Sequence, residues 1–474
     1  MFGVCFRTKI NRIHSSKRIK VVLMCLIPVL CVPIFDIFNQ IGNDEMQITK
    51  NLIMKREPSK IDEHQFMNTT YQKLQTSTGI FLLYNSYLDV RQDPIVRIIG
   101  YLNQHPPRIQ SYCQLTYNAL GETVLIQARY LRIDEYFFGR LYNTPKARTI
   151  YQPYLISCTL LKNETRQPIS VSLVEEKTDE PSNKLKIIYN KPDGSKDTFG
   201  VCFKAMTLKD DISFRLVEWL ELLQILGASK VFMYETELHP NTFKTLKFYE
   251  KSGFVKLTHF SPPVYMPNET DHLGLKDNVL HSELVPHNDC LYTNMYRYKY
   301  FAVMDIDEVV VPTQNRTWLD ILDELQKRNV SIENIENLSF QNGYFLQQYK
   351  EANNEGPYPD IPSYNHMLQH VYRARDHLGP NQNPKSFQNS LHTLVSANHY
   401  SIKCLKHFKC QRYSVGLEIG QLNHYRSSCP WKFPGFCKKN VPTVKDVTLW
   451  RWKTELMEKV NNTLLGLGLL NNVF

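Results

Sequence analysis

The chain has 474 residues, of which 42% are hydrophobic, 12% aromatic and 22% charged. That is the profile of a folded protein, and it is too long for one ordinary domain. The formal net charge is +10, yet Arg7, Lys9, Arg12, Lys17, Arg18 and Lys20 all sit in an acid-free head. The remainder is close to neutral. A nucleic-acid binder keeps its positive charge on the folded part, so that class is set aside.

The head (1–20) reads as a basic cytoplasmic tail. The run VVLMCLIPVLCVPIF that follows carries no charged side chain, and residues 21–38 form a short but adequate membrane span. Basic residues lie only on its N-terminal side, which predicts a type II orientation with the rest of the chain luminal. The rival reading, a cleaved signal peptide, wants a small-x-small site, and residues 1–50 contain no alanine. A retained signal-anchor is expected.

Beyond the anchor lie eight cysteines, an even number that fits an oxidising compartment. Cys404 with Cys410, and Cys429 with Cys437, are close enough for local bridges. No C-x-x-C occurs, which leaves a structural zinc site without support. Seven N-x-S/T sequons are consistent with secretion.

Residues 39–78 are polar and mixed in charge, and read as a stem. From 79 to 198 short alternating runs (FLLYNSYLDV, IVRIIGYL, TVLIQARYL, YLISCTLL, ISVSLV) predict a small β-rich unit. From Phe199 the period switches. VCFKAM reads as a strand, 211–226 as a helix ended by Gly227, and KVFMYE as a strand. Residues 241–251 read as a helix ended by Gly253, then come FVKLTHF, a helix over 287–298 and the strand YFAVMDID. Alternating strand and helix is the grammar of an open, mostly parallel α/β sheet with helices on both faces. That unit is expected over 199–440, with a helical segment over 441–474.

Open parallel sheets bind ligands beyond the carboxyl ends of their strands. Three predicted strand ends carry polar groups: Tyr234-Glu235, His259, and Asp305-Ile306-Asp307. The D-x-D places two carboxylates at the sheet edge, where they can hold Mn²⁺ or Mg²⁺ and leave room for phosphates. The alternative is an Asp pair capping the following loop. The phosphate-loop, nucleophile-elbow and H-E-x-x-H signatures are missing, and Gly466-Leu467-Gly468 is no phosphate loop.

The stretches EWLELLQILGASKVFMYE, VPHNDCLYTNMYRYKYFAVMDIDEVVVP, KSFQNS, NHY and LNHYR resemble glycosyltransferase family 92. The resemblance implies a Golgi type II membrane protein with a GT-A catalytic domain. It would transfer galactose from UDP-galactose to a glycan such as fucose or galactose on a glycoprotein. Position by position, Asp305 and Asp307 match the metal-binding D-x-D, and Glu308 and Pro312 its continuation. Glu218 and Trp219 match the E-W helix, Tyr234 the Y-D strand end (with Glu235 for Asp), and His424, Tyr425 and Arg426 the H-Y-R motif. Gln224 stands where members commonly carry His.

The resemblance implies catalysis by Asp305, Asp307 and Glu308, with His424, or else His399, completing the metal shell. Tyr234, Glu235, Asp289, Arg297, Lys385 and Arg426 are expected around the UDP-sugar. Inversion requires a general base, and Glu283, Glu308 and Glu418 all remain open. A membrane-tethered glycan-binding protein on a transferase fold and a luminal metal-dependent hydrolase are the alternative readings.

Overall fold

The computed structural model describes residues 71–470 except 105–106, 119–120, 134–150, 193, 195, 262–271, 355, 407–408, 431–433 and 440–441. The expected tail, membrane segment and most of the stem lie outside the described residues. Among the described residues, no helix is long and apolar enough to cross a membrane.

The N-terminal part is a curled sheet of β1 (Gln72–Gln75), β2 (Ile80–Asp89), β3 (Ile95–Leu102), β4 (Tyr112–Thr116), β5 (Thr123–Gln127), β6 (Arg129–Arg132), β7 (Gln152–Thr159), β8 (Ser170–Val174) and β9 (Leu185–Ile188). Its strands run in the order β5-β4-β8-β9-β2-β3-β7-β6, with β1 on β2. The two ends of that path, β5 and β6, are separated by Ala128 alone, so the sheet bends round until its edges meet. The stem boundary at 78 needs correction. β1 pairs with β2, and Ser77 bonds Glu175, so the folded part already includes Gln72.

The second part opens with β10 (Asp197–Leu208), α1 (Ser213–Leu226), β11 (Lys230–Leu238), α2 (Pro240–Lys251) and β12 (Val255–His259). Gly227 ends α1 at φ 100°, a left-handed position that glycine adopts without penalty. Then come α3 (His272–Asn294), β13 (Tyr298–Val303), β14 (Glu308–Pro312), α4 (Trp318–Lys327), β15 (Asn337–Phe340), β16 (Asn342–Leu346) and α5 (Gln347–Ala352). The chain closes with β17 (Tyr372–Arg373), β18 (Lys385–Asn389), β19 (Thr393–Val395), β20 (Lys403–Cys404), β21 (Arg412–Ser414), β22 (Gly420–Arg426), α6 (Pro434–Lys439), β23 (Val444–Lys445) and α7 (Lys453–Gly466).

Seven strands form one sheet in the order β12-β11-β10-β13-β18-β15-β21. Strands β10 to β13 are parallel, and β18 enters antiparallel beside β13. Alternate residues of these strands face opposite cores. Val201, Phe203, Val231, Met233, Tyr300 and Ala302 pack against α1 and α7. Cys202, Phe232, Tyr234, Phe301 and Val303 pack against α3. The mixed α/β architecture is as expected.

The second core does not stop at α3. Tyr87, Ile99, Tyr101 and Leu155 of the curled sheet belong to the same apolar cluster as Leu284, Val285, Leu291 and Tyr292 of α3. Arg91 extends the join by donating to the carbonyls of Ser390 and Thr393 while paired with Asp89. Helix α3 begins well before the expected 287, running straight through Pro286. The eight cysteines beyond residue 38 are all bridged: Cys113–Cys158, Cys202–Cys290, Cys404–Cys410 and Cys429–Cys437.

Candidate active site

The D-x-D forms the turn between β13 of the large sheet and β14, which belongs to a small sheet ordered β14-β22-β16. Glu308 N–H donates back to Asp305 O at 3.0 Å and closes the turn. Tyr425 N–H donates to Asp307 O at 2.8 Å, clamping it to β22. Register does the rest. Glu308 lies opposite His424 in the β14–β22 pair, and Tyr344 of β16 lies opposite His424 on its other side.

His424 therefore reaches both acids. Its Nε2 is 3.4 Å from Asp307 Oδ2, and its Nδ1 is 3.1 Å from Glu308 Oε1. Two lysines hold Asp305. Lys204 Nζ stands 3.2 Å from Asp305 Oδ1 and 3.2 Å from Glu283 Oε1. Lys385 Nζ is 3.4 Å from Asp305 Oδ2 and 2.7 Å from Glu308 Oε2. The two aspartates are reachable, with side chains 22% and 37% exposed, whereas Glu308 and Lys385 are sealed at 3% and 1%.

Burial pushes the pKa of Asp305 up, but the two ammonium groups outweigh it and hold the carboxyl well below its usual range. Asp307 is also lowered, because the His424 hydrogen bond offsets its desolvation. Burial dominates at Glu308 and raises its pKa despite Lys385. Desolvation likewise raises Glu283.

Asp305, Asp307, Lys204, Glu283, His424 and Arg426 all border one cavity of about 590 Å³. Its apolar side includes Leu208, Ile212 and Met367. Arg215, also on this wall, lies 2.7 Å from His366 Nε2 through its Nη2.

The E-W helix acts from behind. Glu218, fully buried, accepts from the backbone N–H of Met367 at 3.0 Å and of Leu368 at 3.4 Å, fixing the loop on the cavity rim. Trp219 Nε1 donates to Glu308 O at 2.9 Å.

The other expected residues fall elsewhere. Tyr234 and Asp289 are buried and bonded to each other at 2.6 Å, with Asn85 also donating to Asp289 at 2.8 Å. They join the curled sheet to α3 rather than border the cavity. Desolvation raises the Asp289 pKa even with these donors. Glu235 pairs with His259 at 3.0 Å. Arg297 precedes β13, and the whole of that strand, ~20 Å long at ~3.3 Å per residue, separates it from Asp305.

Glu418 is tied to Arg328 at 2.5 Å on the surface. His399 Nδ1 donates to Pro384 O at 3.0 Å, and burial lowers the pKa of this histidine to about 3. Of the three glutamates left open as base, Glu283 borders the cavity, while Glu308 is buried behind it as a partner of Lys385 and His424. Sequence reasoning missed Lys204, Arg215 and His366. Lys204 alone carried a signal, since it falls four residues before the end of the first parallel strand.

A reachable carboxylate pair, flanked by cationic side chains at the carboxyl edge of a parallel sheet, defines an α/β protein suited to phosphate-bearing ligands. Residues 197–460, more than half of the chain, match glycosyltransferase family 92, and the chain belongs to that family. It is also similar to the β-1,4-galactosyltransferase galt-1 of Caenorhabditis elegans, with 28% identity over 173 residues. That stretch covers 36% of this chain and 37% of the relative's length.

Proposed function

We propose that the chain is a metal-dependent inverting glycosyltransferase with a GT-A-type catalytic unit, moving galactose from UDP-galactose to a glycan hydroxyl. The observation that carries this reading is the Asp305–Asp307 turn, with both carboxylates on one cavity shared with Lys204 and Arg426. Family membership and the name of the worm relative support the sugar chemistry.

A divalent ion fits these residues. Among the described residues, no group of three His, Cys, Asp or Glu side chains is already drawn together as a metal site. Mg²⁺ and Mn²⁺ sites that work on phosphates need only one or two protein carboxylates, the substrate oxygens completing the shell. The lysine contacts to Asp305, at 3.2 and 3.4 Å, are looser than the ~2.7–2.9 Å of a tight ionic hydrogen bond. Asp305 and Asp307 would hold the ion through carboxylate oxygens, which suit Mn²⁺ or Mg²⁺, with His424 Nε2 as a further ligand. The ion would take up negative charge that gathers on the departing diphosphate.

The chain's own residues do the remaining work. Arg426 and Lys204 add positive charge beside the diphosphate, and Leu208, Ile212 and Met367 offer a dry wall for the nucleoside. Glu283, with its raised pKa, takes the proton from the acceptor hydroxyl. The acceptor oxygen bonds to the sugar's anomeric carbon as the carbon–oxygen bond to UDP breaks, and its electron pair leaves with UDP.

Four disulfides favour an oxidising lumen. With the basic head and apolar run outside the described residues, they support a single-pass Golgi location. Incubation with a panel of UDP-sugars, Mn²⁺ and glycan acceptors tests the reading: UDP release driven by UDP-galactose and an acceptor is expected. UDP release with no dependence on acceptor would return the protein to the hydrolase class.

A further inference from the structure

Five of the seven N-x-S/T sequons fall among the described residues, at Asn163, Asn315, Asn329, Asn337 and Asn461. The motif is the same in each, and the fold is what separates them. An N-linked glycan is bulky and hydrated, so the asparagine that carries it needs open solvent on the folded surface.

Asn337 has none. It opens β15, which lies inside the seven-stranded sheet between β18 and β21, and it is fully buried. Its Nδ2 donates to Gln411 O at 3.2 Å, and its Oδ1 accepts from the Ser401 N–H at 2.8 Å. A sugar on Nδ2 would have to displace the neighbouring chain, so a molecule modified there does not reach this fold. Asn461 is half-buried within α7, where its Oδ1 accepts from Tyr364 at 3.0 Å. Asn315 is half-buried as well, and its carbonyl accepts from Arg451.

Two sequons stand apart from these. Asn163 is exposed at the tip of a turn between β7 and β8, closed by the Glu164 N–H donating to Leu161 O at 2.9 Å. Lys162 and Thr165 beside it are exposed too. Asn329 follows the last turn of α4 with φ 60°, a left-handed position that asparagine tolerates better than most residues. Its backbone N–H returns to Gln326 O at 2.9 Å, and Gln326, Lys327, Arg328 and Asn329 are all exposed. Among the described residues, neither side-chain amide is hydrogen-bonded. Neither residue borders the cavity of Asp305 and Asp307.

The geometry points to Asn163 and Asn329 as attachment sites for N-linked glycans on this protein, with Asn337 left bare. This rests on the luminal placement proposed above. The donor is an oligosaccharide carried on a lipid diphosphate. The asparagine Nδ2 bonds to the anomeric carbon of the first sugar as the carbon–oxygen bond to the carrier breaks. The electron pair leaves with the diphosphate, and the amide proton passes to a base of the transferring enzyme.

The test uses the full chain made in animal cells, fused at its C-terminus to a small secreted domain whose own sequon is known to be filled. Peptides are mapped after peptide N-glycosidase release in heavy-oxygen water, which marks each formerly occupied asparagine as a labelled aspartate. Asn163 and Asn329 should be labelled in most copies and Asn337 in none. Asn163→Gln and Asn329→Gln should each shift gel mobility by one glycan, and the double variant by two.

A filled reporter with Asn163 or Asn329 bare, or with Asn337 labelled, would overturn the assignment. An unfilled reporter would instead overturn the luminal placement, and both sites with it.

Discussion

Trp219 Nε1 and the carbonyl oxygen of Glu308 lie 2.9 Å apart, and that single bond ties the middle of α1 to the first residue after the D-x-D. Both Trp219 and Glu308 are buried, so no water stands ready to replace either partner. Trp219→Phe keeps an aromatic ring and removes the donor. It should cost about 1–3 kcal/mol, the penalty of an unsatisfied buried acceptor, plus whatever the smaller ring leaves unfilled. Urea unfolding of the two proteins measures it; an unchanged midpoint would show that the bond holds nothing in place.

Lys385 is the cation on which two acids depend. Lys385→Met leaves buried Glu308 with His424 and the Asp305 backbone N–H but without its lysine, and breaking one side of a buried ion pair typically costs about 3–5 kcal/mol. Adding Glu308→Gln to Lys385→Met should recover part of that loss, because the stranded charge is gone. The double-mutant cycle, read from unfolding midpoints, is expected to show strong coupling. Additive effects would mean that the contact is incidental.

Glu218 predicts a pH dependence of stability. Burial raises its pKa from 4.5 to about 7 in the folded protein, against the pull of the Met367 and Leu368 amides. The folded state thus binds this proton more tightly than the unfolded state does. Its stabilising contribution is complete below pH 4.5 and is lost as the pH rises toward 7. The difference is roughly 3 kcal/mol at ~1.4 kcal/mol per pKa unit. Glu218→Gln should flatten that slope. Melting temperatures of both proteins between pH 4.5 and 7.5 decide it, and parallel curves would refute the assignment.

Much of this was legible in the sequence because the second part is locally consistent. The alternation of β10, α1, β11, α2 and β12 follows hydrophobic period alone, with Gly227 and Gly253 marking both helix ends. The D-x-D stood out for the same reason, being the polar end of an apolar strand. What stayed hidden depends on contacts far apart in sequence. Lys204 and Lys385 meet at Asp305 from strands on either side of β13, and no spacing rule links them. Asp289 and Tyr234 matched family motifs, yet they serve the join between the two parts, which motif matching cannot distinguish from ligand binding. The helix expected from 287 starts much earlier, because tertiary packing carries α3 through Pro286.

That join makes a further expectation about truncation. A protein starting at Tyr71 retains β1 and should be soluble, whereas one starting near Phe199 strips Tyr87, Ile99, Tyr101 and Leu155 from α3 and bares their apolar partners. Gel filtration should show a single species for the first and aggregate for the second. A monodisperse second protein would mean that the curled sheet is a separable module.

Asp305 and Asp307 are expected to hold a divalent ion whose shell a nucleotide diphosphate completes. Calorimetric titration of UDP into the protein, with Mn²⁺ and with the metal chelated, addresses this directly in the wild type, Asp305→Asn and Asp307→Asn. UDP should bind only with Mn²⁺ and only to the wild type, while all three proteins keep similar melting curves. Equal UDP binding with and without metal, or in either variant, would contradict it.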